Sequence, residues 1–334
     1  MSHVLRLGWF VRASLVGLTI ANADVSLIAQ EKAAPAKLTE HFELDEIRVL
    51  FNKEGTDAIA AEDANKNDVP DQVEDVAKQV WAAHRLFCGT LGFPDPLKSE
   101  RYDGVKFIEV KIRQRDIIKG GNGLAFDESQ RSALPTDPKG TKAITLTVGN
   151  HVVPTKNITP AHETFHLIQY GATYFKNKWF LEGMARWSEH GLAKEGLGEV
   201  KYDPKGPWPQ EGGKRQALFG MSYDAEFVLW NPIAKKDDRR GTIPAGKIPN
   251  ELRALKYSSG IPVLHDADFV GIEVMRDILI ELGQLDDLAF KELGYDSWSE
   301  ANQTSEKNSP YIYQAVMDVL RRRKHQVGKF KAAP

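Results

Sequence analysis

Thr159-Pro-Ala-His162-Glu163-Thr-Phe-His166-Leu-Ile-Gln-Tyr-Gly171 carries a His-Glu-x-x-His motif. Residues four apart on an α-helix share one face, a single turn apart. His162 and His166 can therefore close on one Zn²⁺. Glu163 stands beside them, where a general base could reach an attacking water. Thr159 suits the N-cap, Pro160 the first helical position and Gly171 the C-terminal stop. The competing reading is a solvated helix with two unrelated histidines. Phe165, Leu167 and Ile168 weigh against it, because they make the helix apolar. Buried histidines need partners, and two on one face with a carboxylate nearby suit a metal.

The rest of the chain is that of a globular protein of 334 residues, 42% apolar and 27% charged. A net charge of −2 gives no general attraction for nucleic acid or acidic membranes. Cys88 is the one cysteine, so no intrachain disulfide can form. It falls in an apolar helical pattern and reads as a small buried core residue. Arg6 and Arg12 precede the apolar run Ala13 to Ala21, and Ala21-Asn22-Ala23 gives a small-x-small pattern. This predicts a cleaved signal peptide over 1–23 and a secreted or periplasmic protein. The alternative is a frayed N-terminal helix that stays attached. The run is too short to span a bilayer, and no membrane span is expected. Residues 24–40 read as a linker.

Phe42, Leu44, Ile47, Val49 and Phe51 predict one first strand, bulged near Asp45. Asp63-Ala-Asn65-Lys-Asn67-Asp68-Val69-Pro-Asp71-Gln-Val-Glu74 follows. It sets Asp63, Asn65, Asn67, the Val69 carbonyl, Asp71 and Glu74 at the oxygen-ligand spacing of a Ca²⁺ loop. Asp68 replaces the usual glycine, and Pro70 argues against a paired EF-hand. A lone structural loop is expected, the alternative being an acidic turn that caps the next helix. That helix runs from Val73 to about Cys88. Its His84 reads as a satisfied core-edge residue rather than a ligand, with nothing nearby to complete a site.

Strand patterns return at 105–112 and 142–148, separated by a polar loop in which Gly120 to Gly123 read as turns. The strand at 142–148 is the expected edge for aligning a peptide substrate. Residues 231–267 read as a surface insertion. Helices are expected at about 269–282 and 310–323. The run Arg321-Arg-Arg-Lys324 then complements a helix end and frays, without the aromatic interleaving of a nucleic-acid binder.

His162-Glu163-x-x-His166, followed by Trp179-Phe-Leu-Glu182-Gly183-Met-Ala185, resembles the gluzincin metallopeptidases. These are the thermolysin-like and aminopeptidase-N-like enzymes of the peptidase MA-like group. With the calcium-type loop, the chain looks more specifically like a group of exported bacterial metalloproteases. The match covers roughly Asp63 to Glu189 with gaps, and the last third carries little of it. The resemblance implies a zincin-like α+β fold. A catalytic domain would span 41–230 and a loop insertion with a helical subdomain 231–334. It makes Glu182 the third zinc ligand beside His162 and His166. Glu163 becomes the base and later proton donor.

Thermolysin-like enzymes have an Asp four residues after the third ligand, holding a zinc histidine by its other nitrogen. Arg186 stands there instead. Glu189, nearly on the same helical face as Glu182, is expected to take that role; otherwise it is a solvated helix-end residue. Related enzymes also stabilise the oxyanion with a Tyr or His, for which Tyr223 is the first candidate and Tyr170 and His265 weaker ones. Gly183 and Ala185 are small so that the two helices can approach. The expected activity is zinc-dependent, endopeptidase-type cleavage of peptide or protein substrates. The alternatives are a catalytically weak zinc- and calcium-binding adhesion protein and a zinc hydrolase of non-peptide amides.

Overall fold

The computed structural model describes residues 35–134, 136–192, 212–238, 241, 243, 245–265 and 268–325. The expected signal peptide and most of the linker lie outside them.

Alternating aliphatic residues build one mixed sheet. Strand β1 (Glu40–Leu44) turns at Asp45, φ 51°, into β2 (Ile47–Phe51), and the two pair antiparallel. The stretch expected as one bulged strand is thus a tight hairpin, which a short polar residue at positive φ allows. Strand β3 (Val105–Arg113) runs parallel to β2. Strand β4 (Gly123–Arg131) lies antiparallel to β5 (Lys142–Gly149), which runs parallel to β3. The order is β1-β2-β3-β5-β4.

Two expectations fall here. The loop expected between β3 and β5 contains β4, whose alternation is diluted by Asp127, Glu128, Ser129 and Gln130. An edge strand with a partly solvated face needs few apolar residues, so its pattern is weak. Strand β5 is therefore interior, and the outer strand is β4.

Ile47, Val49 and Phe51 share a face with Ile108, Val110, Ile112, Ile144, Leu146 and Val148, and all are buried. Against this face pack α1 (Asp71–His84) and α2 (Thr159–Ala172). The opposite face carries Arg48, Glu109 and Thr145, with Arg48 bonded to Asp137 at 2.6 Å. Helix α1 continues as a π-helical turn, Arg85–Thr90. Helix α3 (Lys178–Glu189) follows α2. The remaining α-helices among the described residues are α4 (Gly212–Phe219), α5 (Asn231–Asp237), α6 (Asn250–Ala254), α7 (Ile272–Glu292), α8 (Glu300–Gln303) and α9 (Ser309–Arg322). The fold is α+β.

The C-terminal helices fix the α2–α3 pair. Asp286 on α7 accepts from Thr173 Oγ1 and from the Tyr174 backbone N–H, both at 2.8 Å. Gly283 lies so close that a Cβ there would sit 2.3 Å from the Ala172 carbonyl oxygen. Trp179 Nε1 donates to Ser309 Oγ at 3.1 Å. The described residues between 231 and 265 are not a surface insertion. Ile233, Ile248, Leu252, Tyr257 and Val263 are buried, and Ser258 holds Asp75 of α1. Nor does the basic run simply fray, since Arg323 bonds Asp237 and Asp277, each at 2.8 Å.

Candidate metal centre

Helix α2 begins one residue earlier than an N-cap at Thr159 would give. Thr159 is its first residue, and Asn157 Oδ1 accepts the Thr159 N–H at 2.9 Å. The helix also passes Gly171, whose missing Cβ admits Pro96; a Cβ there would lie 3.0 Å from Pro96 Cα. The apolar side of α2 buries Phe165, Leu167 and Ile168. His162 and His166 are buried too, their rings edge to face with centroids 4.6 Å apart.

Glu182 comes from α3. Its Oε2 lies 3.3 Å from His162 Nε2 and 3.4 Å from His166 Nε2. One donor atom from each of the three lies within 4.8 Å of the others. The outer nitrogens are held elsewhere. His162 Nδ1 donates to Glu189 Oε1 at 2.8 Å, and His166 Nδ1 to Gln169 Oε1 at 2.8 Å. Gln169 Nε2 donates to the Leu181 carbonyl at 3.0 Å, which fixes the direction of that amide. Both Nε2 atoms thus turn toward Glu182. A histidine that donates Nδ1–H to an acceptor while offering Nε2 is the usual form of a metal ligand.

Charge follows the geometry. Burial would lower the His162 pKa, but hydrogen bonds to Glu182 and Glu189 outweigh it and hold it at about 10. Burial alone would raise Glu182; the bonds from His162 and His166 pull it well below the usual carboxylate range. In the metal-free chain a proton therefore occupies the gap between these groups, where a divalent cation would replace it. Two imidazoles and a carboxylate suit Zn²⁺ and leave a further position to solvent. The residues fit the ion.

Glu163 is 7% exposed. Burial raises its pKa against the opposing charges of His166 and His162, and the Ala125 backbone N–H bonds it. Gly123 makes room for it, since a Cβ there would lie 2.7 Å from Glu163 Cγ and 2.6 Å from Thr159 Cγ2. So the glycine run expected only as turns also brings β4 against the motif helix.

Glu189 is not a solvated helix end; its side chain is 11% exposed. Arg186 Nη1 donates to its second oxygen at 2.8 Å, and Arg186 Nε to Glu226 Oε2 at 3.3 Å. Glu226, 1% exposed, also meets His190 Nε2 at 2.7 Å. Sequence reading passed over Gln169, Glu226 and Gly123. Gln169 was within reach, being three residues from His166 on one face, whereas Glu226 is joined to the site only by the fold.

Tyr223 lies in the turn before the π-helical segment Glu226–Trp230. Its ring centroid is 6.2 Å from that of His162, and its hydroxyl bonds Glu182. Burial and the nearby carboxylates push its pKa up to about 12. Tyr170 is buried and stacks on His166 with centroids 6.0 Å apart. His265 is exposed and does not line the cleft. Gly183 is small because of Trp230, whose Nε1 would lie 2.6 Å from a Cβ, rather than because α2 approaches. Arg115, Gly120 to Gly123, His162, Glu163, Arg186, Glu189 and Tyr223 border an open cleft of about 400 Å³.

In the expected calcium loop, Asn65 and Asn67 side-chain amides donate to the two oxygens of Glu74 at 3.1 and 2.7 Å. Asp63 accepts from the N–H groups of Asn67 and Asp68, and Asp71 from that of Ala64. The Val69 N–H donates to Asn67 Oδ1 at 2.9 Å. Asp68, at the usual glycine position, has φ 67°.

Compared with protein families, curated proteins and solved structures, the chain matches none.

Proposed function

We propose that this chain is a zinc-dependent metallopeptidase of the gluzincin type. One observation carries the reading: His162, His166 and Glu182 converge with both outer histidine nitrogens already held, and Glu163 stands beside them in a cleft. His162, His166 and Glu182 would hold the ion. Bound there, Zn²⁺ supplies Lewis acidity toward a peptide carbonyl and makes water easier to deprotonate.

Glu163 takes a proton from the attacking water and returns it to the departing amine nitrogen. Its raised pKa brings it nearer neutrality and suits both halves of that transfer. Tyr223 donates its hydroxyl to the developing oxyanion. The outer side of β4 offers backbone groups to an extended peptide, a role the sequence had suggested for 142–148. The cleft is open, which suits an endopeptidase.

A Ca²⁺ ion in the 63–74 loop would steady the start of α1, because Glu74 belongs to both. Export to the periplasm or medium belongs to the same reading and rests on residues 1–23. No helix among the described residues is long and apolar enough to cross a membrane.

The test is a mixed peptide library incubated with the zinc-loaded chain, with and without a chelator, beside Glu163→Gln. Cleavage should stop with the chelator and fall roughly 10²–10⁴-fold in the variant. Cleavage indifferent to both would overturn the mechanism. Zinc binding without cleavage of any peptide would favour a binding protein on the same framework.

A further inference from the structure

A second cluster repeats the construction of the first. His84 ends α1, and Cys88 follows four residues later in the π-helical turn, the same spacing as His162 and His166. His84 Nδ1 bonds Glu46 Oε1 at 2.6 Å, as His162 Nδ1 bonds Glu189. Arg85 Nη2 donates to the other oxygen of Glu46 at 3.3 Å, as Arg186 does to Glu189. His84 Nε2 then faces a carboxylate, Asp95 Oδ1, at 3.0 Å, as His162 Nε2 faces Glu182. Donor atoms of His84, Cys88 and Asp95 all lie within 4.8 Å of one another.

We propose that His84, Cys88 and Asp95 form a second site for a divalent transition metal of the Zn²⁺ class, separate from the His162–His166–Glu182 centre. The mixed donor set argues for that class. Thiolate and imidazole favour Zn²⁺ over the hard cations Ca²⁺ and Mg²⁺, which take oxygen ligands. The surroundings orient the donors. The hydrogen bond to Glu46 fixes the His84 tautomer, leaving Nε2 for the ion. Asp95 is positioned by the Leu97 N–H at 3.0 Å and by Lys98 Nζ at 2.8 Å. Cys88 is only part-buried, not the closed core residue its helical pattern suggested, and its thiol donates a long hydrogen bond to the Pro94 carbonyl at 3.6 Å.

Without metal, a proton holds the cluster together. Burial would lower the His84 pKa, yet hydrogen bonds to Asp95, Cys88 and Glu46 raise it to about 11. Metal entry therefore displaces the Nε2 proton of His84 and the thiol proton of Cys88, both of which pass to solvent. Asp95 is already ionised, its carboxyl held well below its usual range by the neighbouring His84 and Lys98 against the effect of burial. The Nδ1 proton stays on the bond to Glu46.

Cys88 is the chain's single cysteine, which makes the test specific. The metal-free full chain is titrated with Co²⁺ and its near-ultraviolet absorption recorded. A thiolate-to-cobalt charge-transfer band is expected, and it can arise only at Cys88. The band should persist in the double variant His162→Ala/His166→Ala and vanish in Cys88→Ser. Zn²⁺ should slow alkylation of the Cys88 thiol in the same double variant. A wild-type chain without the band at saturating Co²⁺, or with thiol reactivity unchanged by Zn²⁺, overturns the proposal and leaves His84 a proton-bridged ion pair. Neither readout depends on peptide cleavage.

Discussion

Arg186 donates to Glu189 across one turn of α3, Nη1 to Oε2 at 2.8 Å, while the other oxygen of Glu189 receives His162 Nδ1–H at 2.8 Å. The acid expected four residues after Glu182 is replaced by a cation, and the carboxylate role has moved three residues on. The arginine and glutamate act together: one neutralises and aims the carboxylate, the other aims the histidine. A buried carboxylate without Arg186 would be costly to keep charged.

Glu189→Gln should weaken Zn²⁺ binding about 10- to 100-fold while leaving the fold intact. Competition against a chelator of known affinity measures it. Arg186→Gln should weaken binding in the same direction. Unchanged affinity in Glu189→Gln would remove that residue from the site.

Gly123→Ala puts a methyl group 2.7 Å from Glu163 Cγ, so that carboxylate must shift. The turnover rate should fall by 10-fold or more, since proton transfer needs hydrogen-bond reach on the order of 3 Å. Zinc content should stay at the wild-type level, because the atoms nearest a Cβ at Gly123 belong to Thr159 and Glu163. Loss of metal together with activity would count against this assignment.

Asp286 is 3% exposed, and burial raises its pKa from the ordinary 3.8 to about 6 despite its bonds from Tyr174 and Thr173. A raised folded-state value means that the associated stability is fully present below pH 3.8 and lost as pH rises through about 6. Both bonds fall on one oxygen, Oδ2, so an amide oxygen can take its place. Asp286→Asn should therefore stabilise the chain near pH 7, by on the order of 2 kcal/mol. The gain should disappear near pH 4. Denaturant unfolding at the two pH values checks this, and a pH-independent difference would contradict it.

Calcium at a hundredfold excess over its Kd should stabilise the native chain by about 2.7 kcal/mol, seen as a rise in Tm. Glu74→Gln should abolish the response, because Glu74 meets both Asn65 and Asn67. A Tm shift of equal size in the variant would place the ion elsewhere.

What local geometry controls can be read from the order of residues. Helical period put His162 and His166 on one face, and placed Glu189 on the same side as Glu182. The strands β3 and β5 and the helices α1, α2, α3, α7 and α9 were legible because each buries a regular apolar pattern. Positions that depend on residues far apart were decided only by the tertiary structure. Strand β4 is held by pairing with β5 rather than by its own pattern, so it escaped the reading, and with it the cradle that Gly123 and Ala125 form around Glu163. The Glu226–Arg186 contact joins residues 40 apart, and the His84 cluster draws Glu46 and Asp95 from separate loops. Periodicity carries which face a side chain leaves from; only packing decides which groups it meets there.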